Sequence, residues 1–241
     1  MAMVLLVCAC SSSPSPPPET EEAKTRRVAK EAILGLQTHI IVLKSQATFA
    51  EYRDVVHTLE QNPQVIAAEG FMFTEVSGSR PHAPATIDMV MKGVDPARVP
   101  KVEALPRFLI EGSIGALADS EPRVILGDEL AKALGVKIGD MIEVEPNGED
   151  FATIHQRGQL KVVGRFHCGF DEYDRKMAYT SMASLQALVG RGDVATGVEA
   201  TVEDILHSDK TAEEIEKAIG GPPYQVLDWF ELNKAFFKTR E

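Results

Sequence analysis

Strand-length apolar runs, none approaching the roughly 20 residues of a bilayer crossing, punctuate this chain and limit what it can fold into. Thr38 to Lys44 (THIIVLK), Val65 to Glu75 and Ala85 to Gly93 show no helical period and read as strands. Between the first two, Phe49, Tyr52, Val56 and Leu59 recur at helical spacing and predict one buried helix stripe. Thr48-x-x-Glu51 reads as a capping box that opens this helix, and Asn62-Pro63 as its stop. The opening is strand, helix, strand, strand, with Ser77 to Pro81 as the loop of the last pair.

The middle has a different texture. Val124 to Leu126 is a short strand, and Asp128 is expected to cap a helix over Glu129 to Leu134 that Gly135 ends. Gly139-Asp140 turns the chain into a strand over Met141 to Glu145, with Ile142 and Val144 on one face. Asn147 to Gly158 is a polar excursion ahead of a strand over Gln159 to Cys168. Phe170 to Arg175 (FDEYDR) reads as a solvated acidic loop, Met177 to Thr180 as a strand, and Ser181 as the start of a helix that Gly190 closes.

The last part returns to the first texture. Gly197 to Glu203 alternates as a strand, and Thr211-x-x-Glu214 reads as a second capping box whose helix ends at Gly220-Gly221. A strand over Tyr224 to Leu227 follows, then a helix over Trp229 to Lys238 capped by Asp228. Helices that separate strands at both ends, with a strand-rich stretch between, predict an α+β fold. Residues 25–97 and 195–241 form a discontinuous subdomain, and residues 98–194 form one inserted into it.

Ahead of the first strand, Met1 to Cys10 (MAMVLLVCAC) is apolar and Ser11 to Glu22 is a Ser/Pro/acid linker, so residues 1–24 stand apart from the folded body. Val7-Cys8-Ala9-Cys10 is similar to a lipobox, which makes Cys10 a lipidation candidate and implies membrane association through the N-terminus. A misassigned start, or the stump of a truncated membrane helix, explains the same letters. Glu19 to Leu36 reads as a helix of mixed charge that would serve as a stalk.

A net charge of -11 and a pI near 5.1 oppose a nucleic-acid partner, which needs a basic face. Cys168 is the one cysteine outside the first ten residues, and it is expected to pack as a small apolar side chain in its strand. The six histidines are scattered, and no G-x-S-x-G elbow or phosphate loop occurs. His57 reads as a surface residue beside its apolar stripe, and His167 and Cys168, adjacent on a strand, are expected to point to opposite faces. Asp171, Glu172 and Asp174 lack the spacing of an EF-hand loop. No catalytic residue, metal or cofactor is expected.

Taken in order, several stretches resemble the periplasmic domain of lipoprotein-releasing ABC permeases, the LolC/LolE type within the MacB-like family. They are Leu36 to Lys44 (LQTHIIVLK), Met91 to Pro96 (MKGVDP), Ile125 to Lys132 (ILGDELAK), Val136 to Asp140 (VKIGD), Gly169 to Asp174 (GFDEYD), Met182 to Gln186 (MASLQ) and Val226 to Trp229 (VLDW). The resemblance covers residues 30–238. It implies a split porter subdomain and an inserted sabre subdomain, matching the two textures. It also implies a non-catalytic domain moved by a separate ATPase and by membrane permease subunits, passing lipoprotein cargo to a soluble periplasmic carrier. The domain would lie on the periplasmic side of the bacterial cell envelope, and a second membrane helix would begin where the chain reaches Glu241.

In such permeases the polar excursion falls where a hairpin grips the carrier. That makes Asn147, Gly148, Phe151, Ile154 and Arg157 partner-binding candidates. The alternative is a free-standing lipoprotein, anchored through Cys10, that reuses the fold as a structural or binding subunit of an envelope complex.

Overall fold

A single strand of fifteen residues organises the architecture, because its two halves pair with different neighbours. The computed structural model describes residues 38–147 and 157–232. The chain begins with β1 (Ile40–Lys44), α1 (Tyr52–Glu60), the long β2 (Val65–Ser79) and β3 (Ile87–Val94). Two single turns follow, α2 (Val99–Val102) and α3 (Leu105–Phe108), then β4 (Leu109–Gly112) and a 3-10 turn (Ile114–Ala118). The middle continues with β5 (Arg123–Gly127), α4 (Asp128–Leu134), β6 (Met141–Pro146), β7 (Gly158–Phe166), α5 (Asp171–Lys176), β8 (Met177–Ser181) and α6 (Met182–Leu188). It closes with β9 (Gly197–Val202), a 3-10 turn (Ile205–His207), α7 (Ser208–Ala218), β10 (Tyr224–Asp228) and the first turn of α8 (Trp229–Leu232).

The strands join into one mixed sheet in the order β10-β1-β9-β2-β3-β8-β5-β7-β4, with β6 bridging β2 and β7. Pairing is antiparallel except for β3 with β8 and β5 with β7. β2 lies against β9 from Val65 to Phe71 and against β3 from Met72 to Gly78. The fold is therefore α+β, as the sequence predicts, and the sheet is continuous from the elements of the two chain ends to those of the middle.

Period-two alternation decides the faces. On one face of the first half, Ile40, Val42, Ala68, Val198 and Ala200 pack with Val55, Val56 and Leu59 of α1 and Ile215 of α7. The approach is close: a Cβ on Gly70 would sit 2.4 Å from the Tyr52 ring, so only glycine fits beneath α1 there. The second half of β2 sends Met72 and Val76 into another core with Met89, Met91, Val124, Leu130 and Leu185. A third core gathers Val99, Leu105, Phe166 and Tyr179.

Several local expectations hold. Gly135 ends α4 in the left-handed region at φ 67°, the Ser181 hydroxyl caps α6 by accepting from Ser184 N–H at 3.2 Å, and Asp228 accepts from Glu231 N–H at 2.8 Å. Others need correcting. Thr48 and Glu51 form no capping box, because the Glu51 carboxylate is taken by Lys44 and by the Tyr224 hydroxyl. Phe49 is buried ahead of α1, in an isolated bridge with Ala195. Asp128 is the first residue of α4 rather than its cap, with its carboxylate held by Arg165 and Lys132. Thr211 lies buried inside α7, which starts at Ser208. The acidic run Phe170 to Arg175 is not a loop but mostly the helix α5.

The lipidation candidate Cys10, the stalk helix over Glu19 to Leu36 and the continuation of α8 toward Lys238 lie outside the described residues. No helix among the described residues is long and apolar enough to cross a membrane.

Candidate functional site

The polar excursion leaves the sheet between β6 and β7, and the structure describes only its two feet. Gly148, Phe151 and Ile154 lie outside the described residues. Asn147 is fixed: its amide Nδ2 donates to Ser77 Oγ at 2.8 Å and Asp88 Oδ1 at 3.1 Å, and its backbone N–H reaches Glu75 O. Arg157 closes the other foot through Nε to Glu145 Oε2 at 3.0 Å. Asn147 therefore serves first as an anchor to β2 and β3, whereas the exposed Arg157 has the looser tie.

A second feature was not expected from the sequence. Beyond Gly93, β3 peels away from β2 and leaves a cleft of about 600 Å³. Its walls include Tyr52 and His57 of α1, Glu69 of β2, Asp95, Leu117, and Met182 of α6. His57 is exposed, as predicted, and faces this opening.

Glu69 ties the cleft to a cluster of buried charge. It stands directly opposite Glu199 in the β2–β9 register, while Lys92 stands opposite Phe73 in the β2–β3 register. Glu103, just past α2, completes the group, and all four side chains are buried. Lys92 Nζ lies 2.8 Å from Glu103 Oε1 and 2.8 Å from Glu199 Oε2, and it sits over the rings of Phe71 and Phe73. Thr38 Oγ1 adds a bond to Glu199 Oε2 at 3.2 Å, and Asp95 N–H donates to Glu69 Oε2 at 3.1 Å.

One oxygen from each of the three carboxylates falls within 4.8 Å of the others, a spacing that would suit a metal ion. The ammonium of Lys92 lies against two of the three, so the protein brings its own cation to this place.

One ammonium cannot balance three carboxylates. Burial pushes Glu69 up to about 9 and Glu103 up to about 8, with the neighbouring carboxylates adding to the rise. Burial also works against the Lys92 charge, but Glu103 and Glu199 outweigh it and hold the ammonium protonated. The two partners of the Lys92–Glu103 contact thus pull in different directions. The resolution is that protons are shared between Glu69 and Glu103, which titrate together rather than one by one. Glu69 Oε1, Glu199 Oε1 and Glu103 Oε2 have no hydrogen-bond partner among the described residues, while Glu103 Oε1 meets the Lys92 ammonium.

A third cluster overturns an expectation. His167 and Cys168 do reach one centre: His167 Nδ1 lies 2.9 Å from Asp174 Oδ2, and Cys168 Sγ lies 3.2 Å from Asp174 Oδ1. The strand ends at Phe166, so alternation no longer applies, and Gly169 curls the chain back at φ 78°. Asp174 also accepts the N–H groups of Cys168 and Gly169, at 2.9 and 3.1 Å, and is almost fully buried rather than solvated. Burial pushes the Cys168 thiol up to about 12, which keeps it a hydrogen-bond donor and a poor nucleophile.

No protein-family model matches the chain. In sequence it is 29% identical over 215 residues to the lipoprotein-releasing system transmembrane protein LolC of Xylella fastidiosa (strain Temecula1), a match that covers 87% of this chain and 50% of that protein. The chain is a homologue of the LolC/LolE permeases. The corresponding LolE protein of Haemophilus influenzae is 26% identical over 189 residues, covering 74% of this chain and 44% of its own length. The chain thus spans about half the length of the LolC proteins it matches.

The fold agrees with that homology. It is shared with the periplasmic region of MacB from Actinobacillus actinomycetemcomitans, at TM-score 0.55 and 10% identity, covering 89% of this chain and 100% of that one. It is shared too with the extracellular domain of the noncanonic ABC-type transporter YknZ, at TM-score 0.53 and 13% identity, covering 78% and 99%.

The buried cluster had a signal in the sequence. Glu69 in VIAAEGFMF, Lys92 in MVMKGV and Glu199 in GVEATV each place one charge inside an otherwise strand-like apolar run. A charge on the buried face of a strand requires a partner, and three such positions together call for mutual pairing.

Proposed function

We propose that this chain is the extracytoplasmic domain of a lipoprotein-releasing ABC permease, acting without catalysis as the part that handles protein or lipoprotein on the periplasmic side of the cell envelope. The observation that carries this is similarity to LolC along 87% of the chain, on a fold shared with the periplasmic region of MacB. ATP hydrolysis would come from a separate ATPase subunit, with membrane permease subunits transmitting the motion. Residues 25–97 with 195–241 would form the porter-like part and residues 98–194 the sabre-like insert, with β2 and β3 common to the sheet of both.

Within this proposal the segment between Asn147 and Arg157 contacts the carrier or cargo. Both feet of the segment are tied down, which supports that role. The test replaces residues 148–156 with a two-residue turn in the membrane-extracted assembly. The melting temperature is expected to stay within about 2 °C, because the three cores described above are left whole, while capture of the lipoprotein carrier falls. Unchanged capture sinks the contact, and failure of the intact chain to co-purify with an ABC ATPase sinks the permease assignment itself.

A further inference from the structure

We propose that the cleft beside β2 is a binding site for the side chain of a lysine carried by another polypeptide, with Glu69 as the group that receives its ammonium. The inference goes beyond the permease reading and does not rest on it. It starts from the space itself. Among the described residues about 600 Å³ remain open where β3 ends, walled by α1, β2, the connection after β3, the first 3-10 turn and α6. Val56, Val94 and Leu117 are buried in the lining and Met182 is half-buried, so the wall can hold the methylene stem of a lysine.

Glu69 is the one buried carboxylate in that lining. Its Oε2 accepts the Asp95 N–H at 3.1 Å, and its Oε1 has no hydrogen-bond partner among the described residues. A buried carboxylate oxygen without a partner is costly unless a ligand or a proton satisfies it. Lys92 does not supply the partner, because its ammonium lies against Glu103 and Glu199. One free oxygen suits the point charge of an ammonium, whereas a guanidinium fork seeks two.

The charges at the mouth have the matching sign. Arg53 pairs with Asp193, Arg98 with Glu60, and Asp119 with Arg123. Asp95 remains. It is exposed, its Oδ1 accepts the Ala97 N–H at 2.9 Å, and no cation lies against it among the described residues. An entering ammonium thus meets an unbalanced carboxylate ahead of Glu69, while both guanidinium groups of the mouth are held by other acids.

Entry displaces a proton. Burial, with Glu199 and Glu103 adding to it, pushes Glu69 up to about 9 against the pull of Lys92. The remaining titratable groups of the cleft are Tyr52, His57, Asp95 and the pairs just named. An ammonium at Oε1 favours the carboxylate form, and a lysine keeps its own charge below about 10. Binding therefore releases a proton and tightens as pH rises toward 9, by up to about tenfold per pH unit.

The probe is the peptide Ala-Lys-Ala, blocked at both ends and titrated into the full chain in a calorimeter, and the control is the same peptide with its lysine acetylated. The lysine peptide is expected to bind about tenfold or more tighter than the control. It should bind more tightly at pH 8 than at pH 7, with a heat that changes with the ionisation enthalpy of the buffer. Glu69→Gln removes the charge and should abolish both the preference and the pH dependence. Ala183→Arg, exposed at the rim on α6, leaves the carboxylates intact and should block the cleft, which decides the matter if Glu69→Gln does not fold.

Equal binding of the two peptides overturns the proposal, as does no binding of the lysine peptide at millimolar concentration. So does lysine-specific binding that survives either substitution. Calcium chloride in place of the peptide tests an inorganic cation: calcium binding that depends on Glu69, without binding of the peptide, assigns the cleft to a metal ion and overturns the proposal.

Discussion

Asp174 and the cluster of Glu69, Glu103 and Glu199 are both buried, and they are built in opposite ways. Asp174, at the turn after β7, accepts two backbone N–H groups, the Cys168 thiol and the His167 ring, so both of its oxygens are used. The cluster of Glu69, Glu103 and Glu199 gathers three carboxylates around one lysine and leaves three oxygens without partners among the described residues. A fully partnered buried acid fixes a local geometry and has no further freedom. An under-partnered group keeps its protons, and its energy depends on how many it holds. The first site is a fastener, and the second couples the first half of the sheet to pH.

The comparison breaks most visibly at Lys92. Among the described residues Lys92 is the one cation in contact with Glu103 and Glu199, and Lys92→Met should cost about 3–5 kcal/mol in urea unfolding at neutral pH. A loss under about 1 kcal/mol would mean that the cluster needs no cation. Asp174→Ala should come next, at about 2–3 kcal/mol, because it strands two buried N–H groups. Its loss should not vary between pH 7 and pH 9; a strong dependence there would erase the contrast between the sites.

The third effect is a slope rather than a drop. In the unfolded chain Glu69 and Glu103 release their protons in the ordinary carboxylate range, while in the folded protein they hold them to about 9 and about 8. The folded state therefore binds more protons between those limits, and stability falls as pH rises from about 5 toward 9. Glu69→Gln should flatten this decline, and a wild-type protein whose stability rises over that window would contradict it. Smallest of all, Arg157→Ala removes an exposed pair with Glu145 and should cost less than about 0.5 kcal/mol by thermal melting.

Much of the fold could be read from residues because local signals governed it. Alternation in Ile40 to Lys44 and in Met141 to Pro146, the glycine stop at Gly135 and the Ser181 cap are decided within a few residues of themselves. The failures share one cause. Glu51, Asp128 and Asp174 each have the chemistry of a cap or a solvated acid, and each is claimed by a group far away or inward: Tyr224, Arg165, and the N–H groups at Cys168 and Gly169.

The cleft was invisible for a related reason. It exists because β3 ends at Val94 while β2 runs on to Val65; Asp95-Pro96 marks the end of the strand, but nothing in the stretch marks the space left beside β2. At the candidate partner-binding segment, the sequence placed the excursion between the correct two strands, and it could not foresee that Asn147 would be engaged with Ser77 and Asp88.

β2 has one more consequence. Fifteen residues at about 3.3 Å each make a rod about 50 Å long. Its first half is stitched to β9 and its second to β3, with β6 joining near the far end. At its midpoint the partner changes, β9 ending at Phe71 and β3 beginning at Met72, with Thr196 donating to Phe71 O and accepting from Phe73 N–H across the change. A bend there separates two ladders without cutting through either, so β2 is two stiff arms that meet at one seam.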